Sequence, residues 1–301
     1  MGSAFNILIY SGDSIRAKDA AIATFKMIDT LNEIYSDYLP QSELNRLCKT
    51  SGKGEWVNIS EPLFAVLQAS LRASEISFGS FDVTMGPVIR LWRKARREKK
   101  LPENDSLKLA RQLVSFKYIE FDALRQSVRL MKAGMQLDLG GIAKGEAAQR
   151  AYWRLSDLGF PYSLIDAGGD IVAGEVPPEV DGWKIAINLP GEDEFMNRQL
   201  LLHNKAVATS GDMYQYIELN GNHYSHIIDP VSGYALTTSR NVTVIANEGA
   251  NADWLATACS ILPIRKARRI IKKSAAELQI TILKNDKPYF YRSRGFTSYF
   301  K

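Results

Sequence analysis

Ser163-Leu164-Ile165-Asp166-Ala167-Gly168-Gly169-Asp170-Ile171 reads as a strand, a tight turn and a second strand, folded back with no room for a helix between them. Just before it, Leu139-Gly140-Gly141-Ile142-Ala143-Lys144-Gly145 joins a strand ending near Leu139 to a helix that stops before Gly159. Further out the pattern stays irregular. Phe5 to Tyr10 suits a strand, and Ala17 to Ile34 carries apolar residues at helical spacing. Pro40 interrupts the chain, Ser42 can cap a short helix, and another helix covers about Pro62 to Phe78, ending at Gly79. Short strands are expected at Tyr118 to Phe121, Ser127 to Leu130, Gln136 to Leu139 and Trp183 to Leu189. From Lys205 to Ala246 the pattern is β-like, with turns at Thr209-Ser210-Gly211 and at Asp229 to Gly233, and His226 on a strand. Helices over about Ala252 to Ser260 and Ile264 to Ala276 precede two closing strands. Strands and helices mixed without strict βαβ alternation predict an α+β fold with mainly antiparallel sheets and interspersed helices.

The 301 residues are nearly half apolar and about a quarter charged, enough for a substantial core. With no Pro/Ser/Gly-rich or single-charge tract to serve as a linker, 1–301 reads as a single folding unit, with two closely packed lobes as the alternative. The net charge of +5 is too small to indicate nucleic acid. Its basic stretches, Arg90 to Lys100 around Trp92 and Arg265 to Lys273 beside Ile264, Ala267, Ile270 and Ile271, read as solvated faces of amphipathic helices. Two cysteines, Cys48 and Cys259, exclude a disulfide framework and a cysteine-based zinc site. No apolar run approaches the ~18 residues of a membrane span, and Met1 to Tyr10 lacks the features of a signal peptide.

Three constellations carry chemistry. Asp253 and Thr257, four apart on a helix, offer two hard oxygens to one point, which suits magnesium. The alternative is that Asp253 favours the positive end of its helix while Thr257 bonds back to the previous turn. In Asp138 to Glu146, glycines before a helix N-terminus let backbone amides approach a phosphate, with Lys144 near enough to add charge; a turn of structural glycines is the alternative. In Tyr224-Ser225-His226-Ile227-Ile228-Asp229-Pro230, His226 can act as a general base near neutral pH or sit as a core residue.

Taken in order, these patterns resemble the ApbE family of FAD:protein FMN transferases. The resemblance starts at Met1-Gly2-Ser3 and continues through Tyr38 to Asn45, with Ser-Glu-Leu-x-Arg at Ser42 to Arg46. It includes Phe81-Asp82-Val83-Thr84-Met85-Gly86-Pro87 with Leu91-Trp92, Asp138 to Gly145, and Asp166-Ala167-Gly168-Gly169-Asp170. It ends with Thr209-Ser210-Gly211-Asp212, His226 to Pro230, and Ala252-Asp253-x-Leu-Ala-Thr257. The fold it implies is ApbE-like and T-fold-related. The implied metal ligands are Asp253, Thr257 and the backbone carbonyl of Gly141, holding Mg2+. The implied FAD contacts are Met1, Tyr38, Ser80, Phe81, Asp82, Asp138, Lys144 and Ile228, and a tyrosine at position 38 is similar to members that transfer FMN rather than hydrolyse FAD.

The implied reaction is attack by a Ser/Thr hydroxyl of an acceptor protein on the FMN-side phosphorus of FAD, releasing AMP, with His226 or Asp229 taking the hydroxyl proton. The alternatives are a magnesium-dependent FAD pyrophosphatase and a protein that stores FAD without turnover. The implied acceptor is a flavoprotein subunit of a membrane redox complex. The expected location is periplasmic or cell-envelope, with lipid anchoring through a leader absent from this sequence; a cytoplasmic location is the alternative.

Overall fold

In the computed structural model the described residues are 2–187, 199–211, 216–219, 221–284 and 287–301. Met1, Leu189 and Asp212, which figure in the expectations above, lie outside them. In chain order the elements are β1 (Phe5–Ile9), α1 (Ser14–Tyr35), α2 (Glu43–Cys48), β2 (Val57–Asn58), α3 (Glu61–Ile76), α4 (Gly86–Glu98), α5 (Asn104–Arg111), β3 (Ile119–Asp122), β4 (Ser127–Leu130), α6 (Ala143–Asp157), β5 (Ser163–Ala167) and β6 (Ile171–Ala173). There follow β7 (Trp183–Ala186), β8 (Gln199–Leu202), β9 (Lys205–Gly211), β10 (Tyr216–Leu219), β11 (Asn222–Ser225), β12 (Arg240–Ala246), α7 (Gly249–Ile261), α8 (Ile264–Lys273), β13 (Glu277–Lys284) and β14 (Lys287–Arg292). The mixed α+β class with antiparallel pairing is as the sequence predicted.

The chain divides into two compact units. The first holds Leu31–Gly141 and Asp212–Thr238. Its sheets are β2-β4-β3 and the β10-β11 hairpin. Ser42 caps α2 as expected, its side chain accepting from the Asn45 amide at 3.1 Å. Ser60 does the same for α3, whose C-terminal turn is followed by Gly79 at φ +77°. An apolar cluster of Met85, Val88, Trp92, Ala95, Leu107, Ala110, Ile228 and Ala235 joins α4 and α5 to the 228–235 segment.

The second unit holds Gly2–Thr30, Ile142–Gly211 and Ser239–Lys301. Its seven strands run β1-β5-β6-β9-β12-β13-β14, every pairing antiparallel. The Gly168–Gly169 turn between β5 and β6 has both glycines at positive φ, 66° and 96°, a region that costs other residues steric strain. Helix α7 packs on β9 and β12, and α6 packs on β5 and on α7. The α6–α7 contact is made backbone to backbone: a Cβ on Gly145 would overlap the Gly249 carbonyl, and one on Gly249 the Gly145 carbonyl. The Gly249 amide also donates to Gln149 Oε1 at 2.9 Å. Because Gly249, Asp253 and Thr257 repeat every four residues, they share one face of α7, and this close crossing brings that face to the first turn of α6. Gly249→Ala is therefore expected to cost at least about 1–3 kcal/mol, read as a lower urea midpoint at unchanged slope. An unchanged midpoint would show that the crossing tolerates a side chain.

Several expectations need correction. Gln136–Leu139 is not a strand: the Leu137 amide donates to Cys48 Sγ at 3.2 Å and the Asp138 amide to the Val83 carbonyl at 2.7 Å, so its donors serve loop contacts rather than a ladder. Thr209-Ser210-Gly211 is not a turn but the end of β9, paired with Val242 and Asn241 of β12. His226 lies one residue beyond β11, at a bend rather than on a strand. Arg93 is not part of a solvated face, as its contacts below make clear.

Candidate active site

In the first unit the tyrosine loop is fixed from inside. Asn45 Nδ2 donates to the carbonyls of Ser36, Asp37 and Leu39 at 3.3, 3.1 and 2.8 Å, so one buried amide sets the path of the chain around Tyr38. Tyr38 itself is 67% exposed, with the Arg93 guanidinium 4.3 Å from its ring centroid. Arg93, 28% exposed, ion-pairs with both Asp37 and Asp138, the latter at 2.8 Å. The loop around residue 38 is thereby tied to the segment that opens the glycine-rich stretch.

The Asp138 Oδ1 atom accepts from the Gly140 amide at 2.8 Å, which turns the chain into Gly140–Gly141. Burial, joined by repulsion from Asp37, pushes the Asp138 carboxyl up to about 6 although Arg93 pulls the other way. The folded form thus holds a proton that the unfolded chain releases near ~4. Stability from this group is complete below ~4 and is lost as pH rises through 6. Asp138→Asn is expected to flatten that fall in stability between pH ~4 and ~6, by about 1–3 kcal/mol, in urea melts taken at several pH values. An equally steep fall in the variant would assign it to other groups.

The Asp82 loop is self-supporting. Asp82 Oδ1 accepts from the Thr84 amide and hydroxyl at 2.9 and 2.6 Å, and Oδ2 from the Phe116 amide at 2.9 Å. Desolvation nevertheless raises its pKa. Ser80 and Phe81 are buried beside it. Ile228, expected near FAD, has its side chain in the apolar cluster with Trp92, while its backbone bridges to Ala235. Trp92 pins the segment that carries His226: its indole N–H donates to the Gly233 carbonyl at 2.9 Å, and its ring lies 5.6 Å from that of Tyr224 and 6.5 Å from that of Tyr234. His226 is half-buried. Asp229 closes the turn, with Oδ1 accepting from the Val231 amide at 2.9 Å.

In the second unit Lys144, Asp170 and Asp253 meet. Lys144 Nζ ion-pairs with Asp170, whose side chain is 5% exposed and is hydrogen-bonded to Asp253. Desolvation, with Asp253 next, pushes Asp170 up to about 7, and desolvation raises Asp253 as well. Lys144 is held charged, its pKa raised by Asp253 and Asp170 against the cost of burial. Asp253 Oδ2 accepts from the Gly145 amide at 3.2 Å. That amide belongs to the first turn of α6, whose donors have no acceptor within the helix; the Gly141 carbonyl has no hydrogen-bond partner among the described residues. The Thr257 hydroxyl likewise has none among them, so it does not bond back to the previous turn, as Ser260 does at 2.9 Å.

Within the second unit the Asp170 and Asp253 carboxylates and the Thr257 hydroxyl are hard oxygen donors, of the kind that suits Mg2+. Gly141 ends the first unit, whereas Asp253 and Thr257 belong to the second. Arg93, Asp37 and Asp170 were not singled out as site residues from the sequence. Arg93 was submerged in a basic run; Asp170 stood in a quoted motif, four residues from Asp166 across a glycine pair, the available signal for it.

The ApbE family pattern matches residues 1–282. An FAD:protein FMN transferase of Haemophilus influenzae is 29% identical over 97% of this chain and 87% of its own length. Another protein of that name, from Chlamydia muridarum, is 30% identical over 77% of this chain and 72% of its own. Among solved structures, the ApbE protein of Thermotoga maritima superposes with a TM-score of 0.87 at 27% identity, covering 99% of this chain and 96% of the other. The chain belongs to the ApbE family.

Proposed function

We propose that this protein is a magnesium-dependent FAD:protein FMN transferase that joins FMN through a phosphoester to a Ser/Thr hydroxyl of an acceptor protein and releases AMP. The observation that carries the reading is the match, along nearly the whole chain, to relatives named for that activity. Asp253, Thr257 and the Gly141 carbonyl are the proposed ligands of Mg2+. A magnesium ion held by them would supply a Lewis acid for the pyrophosphate and offset the charge that develops as AMP leaves.

The chain's own groups divide the remaining work. Lys144 offers an ammonium at the N-terminus of α6, where free amides favour phosphate. Tyr38 offers an exposed ring for the flavin, backed by Arg93, and limits access of water. Ser80, Phe81 and Asp82 form a loop fixed by the Asp82 carboxylate; Met1, Asp138 and Ile228 complete the proposed FAD contacts. His226 takes the proton from the acceptor hydroxyl. Asp229, whose Oδ1 accepts from the Val231 amide, is the alternative base.

The acceptor is proposed to be a flavoprotein subunit of a membrane redox complex, met in the periplasm or at the cell envelope. Among the described residues no helix is long and apolar enough to cross a membrane. Incubation with FAD and Mg2+, with AMP followed by chromatography, tests the reading. AMP release that requires a hydroxyl-bearing acceptor is expected. Equal release without one would make the protein a pyrophosphatase, and no release under either condition would leave only FAD binding.

A further inference from the structure

Lys144, Asp170 and Asp253 form one closed cluster inside the second unit. The two carboxylates are hydrogen-bonded to each other, both residues are about 95% buried, and the ammonium of Lys144 is paired with Asp170 and attracted by Asp253. Two acids in such contact cannot both carry charge without a cation beside them. In this structure Lys144 is that cation. Lys144 is also the second residue of α6, and a positive side chain is disfavoured at the positive end of a helix. The two acids therefore hold it there against its own helix, and neutralising them removes that hold. Its four-carbon stem lets the ammonium swing without any change in the backbone.

We propose that Asp170 and Asp253 form one anionic cradle in which the Lys144 ammonium and a divalent cation are alternative occupants, so that entry of the cation releases Lys144 to the phosphates of FAD. Asp170 is then a positioning residue: it holds Lys144 before the cation arrives and orients Asp253 afterwards. The inference rests on the magnesium reading above and adds an order of events, with cation entry preceding engagement of the lysine. Two occupants that exclude each other have a definite linkage. Removing the ammonium must tighten cation binding, and weakening the cradle must loosen it.

The test is titration of the FAD-free protein with Mn2+, reading the free-ion EPR signal, alongside melting temperatures in chelator and in Mg2+. Lys144→Met is expected to bind Mn2+ about 5- to 150-fold more tightly than wild type. It should also melt lower in chelator, because two buried acids lose their counter-ion, and recover when Mg2+ is added. Lys144→Gln, which keeps a hydrogen bond to Asp170 without charge, is expected to show the same tightening with a smaller loss of stability. Asp170→Asn should bind Mn2+ about 10- to 100-fold more weakly. Tightening in either lysine variant together with weakening in Asp170→Asn supports the proposal. If wild type binds Mn2+ and Asp253→Asn does not, but both lysine variants bind no more tightly than wild type, the shared cradle is wrong and the magnesium reading survives. If no protein in the series binds Mn2+, both are wrong.

Discussion

Asp253→Asn is expected to lower single-turnover FMN transfer by about 10³-fold while leaving the protein folded. If Asp253 holds a metal ion as proposed, the charge stabilisation it would supply is several kcal/mol, and each 1.36 kcal/mol is tenfold in rate. Asparagine keeps an oxygen for the Gly145 amide, so the link between α7 and the first turn of α6 survives. It also removes the buried charge that raises Asp170, which offsets part of the lost pairing with Lys144. Melting temperature should therefore move little. A rate within about tenfold of wild type would remove Asp253 from the metal set, and a rate lost only in parallel with folding would leave it the structural role of holding the Gly145 amide.

His226→Asn is expected to slow transfer by about 10²–10⁴-fold, with FAD affinity nearly unchanged and the acid-side fall in rate abolished. The neighbouring acid provides the internal control. Asp229→Asn retains an oxygen for the Val231 amide, so the turn held by Trp92 through Gly233 should persist and the rate should drop only modestly. Wild-type rate and pH profile in a folded His226→Asn protein, with a large loss in Asp229→Asn, would exchange the two assignments.

The parts of the fold visible in the sequence are those decided by local chemistry. Ser42 marks a helix start because a hydroxyl there satisfies an amide that the helix leaves open. The Gly168–Gly169 turn is visible because its backbone conformation excludes most other residues. Tertiary pairing decided the rest. Thr209-Ser210-Gly211 has turn chemistry but extends β9 because β12 lies alongside, so close that a Cβ on Gly211 would meet Asn241 Oδ1 at 2.7 Å. Gln136–Leu139 has strand-like residues but finds Cys48 Sγ and the Val83 carbonyl instead of a neighbouring strand.

The candidate site divides in the same way. The four-residue interval between Asp253 and Thr257 can be read from helix geometry alone. That Asp170 would lie against Asp253, 83 positions away, depends on β5, β6 and the α6–α7 crossing, which no local pattern encodes. Arg93 was hidden for a related reason, since charge in a run of Arg and Lys says nothing about which member turns inward to two aspartates.

Transfer of FMN to another protein is tested most directly by the acceptor's own mass. Purified protein, FAD and Mg2+ are incubated with an acceptor flavoprotein subunit, which is then denatured, digested and analysed by mass spectrometry. The account predicts FMN attached through phosphate to one serine or threonine, with one AMP released per acceptor modified and modification about 10³-fold slower when Asp253→Asn replaces the wild type. Stoichiometric AMP and free FMN with an unmodified acceptor would contradict it.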